Sequence, residues 1–439
     1  MENMIPLNGR IAIVDDKIDQ ALPLMRVFAK NNIPYAYYKG NDVDYLPEQP
    51  ENDIRILFLD LNLLDGRDNQ PKEIRSTLFS AISHIISPNN YPYLLILWSR
   101  QEKEYRELLE DLFTNDLKDR SPIAILDWIK SDFFPNFSDE EENKEDEYKI
   151  LDELKKVLVS LPAYSYLMQW ENSVHNSADA TIQDLFHDYH SHDNWKNNAN
   201  CILNMFAKSY LEQHYQDASI EDKAKASLLF LNDVYYDTLE SNVIACTFSN
   251  EDDLPDNVNE EYKKDIAAKI NSYLMLSNQF ASPSQPGCVL PIKLTKGNES
   301  YFHELFCYCF DKKDLPNRDA KLLKKDIYKT LQPCEIVVTP VCDYAQKKVK
   351  YDRLIHGVII NADFKDYVNS QSDAFYVSPV FALEKQKCII VLNFRYLTTY
   401  DEYSRCQYPN PLFRIRDSVL AEIQSKLARH ISRHGIMNL

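Results

Sequence analysis

The sequence predicts an α/β chain: a doubly wound parallel sheet of five strands, then a helical segment, then a barrel-like α+β module. Three observations predict it. Short apolar, β-branched runs alternate with helical spacing at the start of the chain. An acidic stretch with helical apolar periodicity follows. From Gly287 the pattern turns to runs rich in Val, Ile, Phe and Tyr, closed by an amphipathic helix. The expected domains are 1–137, 138–284 and 285–439, which suits 439 residues at roughly 100–200 per domain.

Ile11-Ala12-Ile13-Val14 reads as a buried strand that runs into Asp15-Asp16. Ile18 to Ala29 has helical spacing, with Leu22, Met25 and Phe28 on one face. Ile33 to Tyr38 is a second strand, placed near an edge by Pro34. Ile54 to Leu59 is a third and ends in Asp60; Tyr93 to Trp98 is a fourth and ends in Ser99, with a helix over Lys72 to Ile86 between them. In a wound sheet, ligands bind beyond the carboxyl ends of the strands, where Asp15, Asp16, Asp60 and Ser99 all fall. Crowded carboxylates raise one another's pKa unless a cation neutralises them. Magnesium fits, as a hard ion that takes one or two carboxylates and keeps several waters.

Asp15-Asp16 after the first strand, and Phe58-Leu59-Asp60-Leu61-Asn62-Leu63-Leu64-Asp65-Gly66 after the third, resemble a response-regulator receiver domain over residues 8–135. The resemblance implies that Asp60 takes a phosphoryl group from a phosphohistidine. It implies magnesium held by Asp15, Asp16, Asp60 and Asn62, and phosphoryl contacts from Ser99 and Lys130. Phosphoryl transfer needs positioning and charge neutralisation above all, which a metal and a lysine supply. The chain departs from the family's pattern at Arg100, at Ser131 and at Asp127, where receivers carry a small residue, a proline and an aromatic switch residue.

Composition removes other classes. The seven glycines are nowhere closer than ten residues, so neither GxGxxG nor GxxxxGK[ST] occurs. The opening MENMIPLNGR lacks the pattern of a signal peptide, and no apolar run reaches the roughly 18 residues of a membrane span. Nine scattered cysteines do not make a disulfide framework, so a reducing cytoplasm is expected. The net charge of −18 divides into −24 over residues 1–320 and +6 over 321–439. Nucleic acid is therefore expected, if at all, only at the basic C-terminal third.

In the middle segment, helices are expected over Ile150–Leu158, Ala180–His190, Asn197–His214 and Ile220–Leu239, beyond the acidic run Ser138–Glu147. His187, His190 and His192 crowd together there; solvated histidines at a helix end explain them better than a metal site. Cys307 and Cys309 form a lone CxC without a second pair for zinc. In the last module, strands are expected over Cys288–Leu294, Glu335–Val341, Leu354–Asn361, Ala374–Leu383 and Lys387–Thr399, and a helix over Leu412–Arg433. Asp343, His356 and His430 are its candidates for a hydrolase or nuclease centre.

The expected function is regulatory: a receiver-like protein that takes a signal from a histidine-kinase-like ATPase and relays it by protein contact, with no membrane partner. The combination of domains is similar to receiver-containing proteins of bacterial antiphage systems. A pseudo-receiver scaffold, and an effector with a C-terminal nuclease or hydrolase module, are the alternatives.

Overall fold

Alternating apolar residues give the first sheet two buried faces. In the computed structural model, β1 (Ile11–Asp15), β2 (Ala36–Lys39), β3 (Ile56–Leu59), β4 (Leu94–Ser99) and β5 (Ala124–Ile129) are all parallel, in the order β2-β1-β3-β4-β5. That order is compatible with a receiver-like α/β fold. The residues described are 5–6, 10–64, 70–99, 106–134, 144–187, 195–248, 254, 258–279, 282–302, 327, 331–345, 349–384, 386–401 and 407–432. The chain divides into two compact units, Met1–Phe206 with Ala224–Pro255, and Ala207–Lys223 with Asp256–Leu439.

One face of the parallel sheet carries Ile11, Ile13, Ile56, Phe58, Ile96 and Trp98. It is covered by α1 (Ile18–Lys30) and by Ile150, Leu151, Leu154 and Leu158 of α5 (Lys144–Val159). The opposite face carries Ala12, Val14, Leu57, Leu59, Leu95 and Leu97 under α2 (Pro71–Ile85) and α3 (Arg106–Asn115). A buried aromatic cluster fills the first core. The Phe58 and Trp98 rings stand at 89° with centroids 5.8 Å apart, and Trp128 packs on both Phe58 and Phe133. Each such side chain contributes about 2–3 kcal/mol of burial free energy.

The register of β5 is set by pairing with β4: Leu97 opposes Asp127 and Trp98 opposes Trp128. Trp128 is thereby turned into the core, while Asp127 faces out and pairs with Arg106. A four-residue helix, α4 (Lys130–Phe133), follows β5 directly. β2 begins at Ala36, beyond Pro34, whose missing N–H interrupts a ladder. Only a short 3₁₀ turn, Val43–Tyr45, stands between β2 and β3.

Three further helices, α6 (Pro162–Phe186), α7 (Trp195–Leu211) and α8 (Ile220–Ile244), follow. The first begins far ahead of the predicted Ala180. Its buried stripe, Ser165, Gln169, Ser173, Ser177 and Thr181, is polar, so no apolar periodicity announces it. The hydroxyls of Ser173, Ser177 and Thr181 donate to the carbonyls four residues back. Another helix, α9 (Glu260–Met275), lies outside the predicted set, because six charged side chains interleave its apolar positions.

The second unit is built on an antiparallel sheet. β6 (Leu276–Ser277), β7 (Cys288–Pro291), β8 (Gln332–Val337), β9 (Tyr351–Asn361), β10 (Phe375–Val377), β11 (Phe381–Leu383), β12 (Gln386–Asp401) and β13 (Phe413–Ile415) take the order β10-β12-β9-β8-β7-β13-β6, with β11 also on β12. The predicted strand Ala374–Leu383 is two strands, split at Pro379. The predicted helix Leu412–Arg433 opens as strand β13, which pairs with β7 and β6, before the last helix (Asp417–Ile431) begins. A short helix, α10 (Val341–Ala345), follows β8; the last helix is α11. Among the described residues no helix is long and apolar enough to cross a membrane. The parallel sheet, helices and antiparallel sheet give the α/β architecture that the sequence predicts.

Candidate metal centre

The sheet order reverses between β1 and β3, which are hydrogen-bonded neighbours, so their carboxyl ends open onto one switch point. The Asp60 N–H donates to Val14 O at 2.8 Å, which extends this ladder and sets Asp60 beside Asp15. Asp15 and Asp60 are almost fully buried and Asp16 nearly so. Each of the three offers a carboxylate oxygen within 4.8 Å of the others. Three hard oxygen donors at that spacing fit a divalent cation.

Lys130, the first residue past β5, is fully buried and reaches into the same notch. Its ammonium donates to Asp15 Oδ2 at 2.6 Å, to Asp60 Oδ2 at 2.5 Å and to Gln20 Oε1 at 3.3 Å. The remaining carboxylate oxygens are held by backbone: Lys17 N–H donates to Asp15 Oδ1 at 2.9 Å, and Asn62 N–H to Asp60 Oδ1 at 3.0 Å. Both carboxylates are thereby fixed in orientation before any ligand arrives. One buried lysine, with Lys17 at the rim, against three aspartates leaves negative charge in a buried site. Burial pushes the Asp15 carboxyl up to about 6, with the Asp60 charge adding to the rise and Lys130 opposing it. A bound cation would reverse that balance.

Lys17 Nζ lies 3.7 Å from Asp16, and the Tyr37 hydroxyl donates to Asp15 O at 3.2 Å. Burial, then Asp15, Asp16 and Asp19, raise the Tyr37 phenol to about 12. Gly40, just past β2, lets Leu63 approach: a Cβ there would stand 2.7 Å from Leu63 Cδ2 and from Val14 Cγ1. Ser99 ends β4 on the same rim and is buried. Asp65, Gly66 and Arg100 lie outside the described residues.

Sequence reasoning thus names Asp15, Asp16, Asp60 and Lys130, which the fold brings together among the described residues. It misses Gln20, whose amide is one residue among many polar ones on α1 until the fold sets it against Lys130. At the far end of the same sheet, Glu171 of α6 accepts from Arg55 and pairs with Arg10, and Tyr164 donates to Arg55 O at 2.6 Å.

In the second unit, His356 of β9 is buried opposite its cross-strand neighbour Glu335 of β8, with Nε2 3.4 Å from Glu335 Oε2. The Tyr301 hydroxyl lies 2.6 Å from its Nδ1, and Thr398 Oγ1 lies 3.3 Å from Nε2. Asp343 stands half-buried on α10, and His430 on α11 tilts against the Phe394 ring. Among the described residues, no metal-type grouping includes Asp343, His356 or His430. His187 caps α6; His190, His192, Cys307 and Cys309 lie outside the described residues.

Compared with family models, with curated proteins and with solved structures, the chain matches none.

Proposed function

We propose that the N-terminal unit is a receiver-like signalling module in which Asp60 accepts a phosphoryl group. One observation carries the reading: Asp15, Asp16, Asp60 and Lys130 converge from three strand ends on one buried notch. The donor is a phosphohistidine on a histidine-kinase-like ATPase partner. The Asp60 carboxylate attacks phosphorus, the N–P bond breaks, and an acyl phosphate forms as the imidazole leaves. Lys130 pairs with the incoming phosphoryl oxygens, and Ser99 contacts them from β4. Magnesium on Asp15, Asp16, Asp60 and Asn62 would supply the remaining neutralisation of charge. The added charge at Asp60 biases the surrounding loops, and the output passes by protein contact, in the bacterial defence setting that the domain combination suggests.

A second reading has its own observation. Lys130 already occupies one oxygen of Asp15 and one of Asp60, which also suits a pseudo-receiver whose ion cluster stabilises a scaffold. Labelling with a small phosphodonor and magnesium separates the two. Wild type should label and Asp60→Asn should not. Labelling that survives the substitution sinks Asp60 as acceptor, and an unlabelled wild type that still binds magnesium selects the scaffold.

A further inference from the structure

Helix α9 lies wholly in the second unit and turns its polar side inward. Asn271 Nδ2 donates to Val380 O at 2.7 Å, and Ser272 Oγ donates to Ala382 O and accepts from Ala382 N–H, both at 2.8 Å. Ala268 and Met275 fill the rest of the buried side, while Asp265 pairs with Lys387. The opposite side is largely apolar and open, with Lys263 among its apolar residues and paired to Glu260 at 3.3 Å. Tyr262, Ile266, Ile270, Tyr273 and Leu274 lie on one arc of the helix, and Tyr273 and Leu274 are 76% and 62% exposed. Amphipathic helices of isolated domains place these faces the other way round.

The exposed arc is self-complementary. Two copies of α9 laid antiparallel, centred level with Ala268, set Ile266 of one beside Ile270 of the other and Tyr262 beside Leu274. The charges at the ends also match. The first turn carries exposed Glu260 and Glu261. The last turn meets exposed Arg416, whose N–H donates to Met275 O at 2.7 Å and whose Nε donates to Leu276 O at 3.2 Å. Antiparallel pairing brings Glu260 of each copy, which also pairs with its own Lys263 at 3.3 Å, toward the arginine of the other and opposes the two helix dipoles.

We propose that the α9 face is a two-fold interface between two copies of this chain. A 16-residue helix is about 24 Å long, so the contact is of modest size and the dimer is a weak one that depends on concentration. The test is light scattering with size exclusion and sedimentation on the full chain over a concentration series. Wild type should dimerise. Ile266→Glu with Ile270→Glu, both at exposed positions and checked by circular dichroism, should weaken the dimer by ~100-fold or more. Arg416→Glu should weaken it roughly 10-fold, and adding Glu260→Lys should restore part of the loss. A wild type that stays monomeric at ~100 µM overturns the proposal and leaves this face to a different partner. A dimer of undiminished affinity in the double glutamate variant overturns it equally.

Discussion

At the scale of single residues, the chain concentrates its unusual chemistry in one ammonium. Lys130 is fully buried, and each of its three donors meets an oxygen, two of them anionic. Removing one member of a buried ion cluster leaves the others uncompensated, which costs about 3–5 kcal/mol. Lys130→Met is therefore expected to lower the unfolding free energy of the first unit by that amount, measured by urea titration without divalent ions. Millimolar magnesium should return part of the loss, because a cation on Asp15 and Asp60 replaces the missing charge. An unchanged urea midpoint would show that the notch is more hydrated than its burial indicates. Gly357 is a second single-residue constraint: a Cβ there would stand 2.4 Å from Val391 O, beside the β12 irregularity between Leu392 and Leu397.

At the scale of elements, what decides the packing is which face of each helix is buried. α5 contributes four apolar residues to the same core as Phe58, whereas α6 reaches the sheet through Tyr164 and Met168 and through the Glu171 cluster. Burial alone would raise the Glu171 carboxyl; hydrogen bonds from Arg55 and Arg10 outweigh it and hold the group below its ordinary value of 4.5. A carboxyl depressed in the folded state stabilises above its unfolded pKa, and that stability is lost as pH falls through the folded value. Glu171→Gln should thus cost on the order of 2 kcal/mol near neutral pH. The gap between wild type and variant should close as pH drops below 4.5. Chemical denaturation at a series of pH values reads this directly; a gap that is constant with pH would show that the loss is one of packing.

At the scale of the whole molecule, two units carry different chemistry. The metal-type cluster belongs to the first alone among the described residues. Calorimetry should resolve a transition that magnesium raises and one that it leaves in place. At 100 times the dissociation constant, binding adds about 2.7 kcal/mol to the first. A cation that moves both transitions equally, or neither, would contradict a site confined to the first unit.

Much of this protein was legible in its residues. Asp15, Asp16 and Asp60 stand out because each closes a continuous apolar strand, and a strand buried on both faces is written as such a run. The alternation of strands and helices likewise implies the wound sheet. Side chains brought together by pairing were not legible. The β5 register that turns Trp128 inward, the reach of Gln20 to Lys130, and the meeting of Glu335 with His356 all depend on partners far along the chain. Sequence fixes local period; register and helix rotation are decided by long-range packing, where one residue of slip exchanges the buried and exposed faces of a strand. The polar buried stripe of α6 and the outward apolar arc of α9 mark where those local and long-range preferences part.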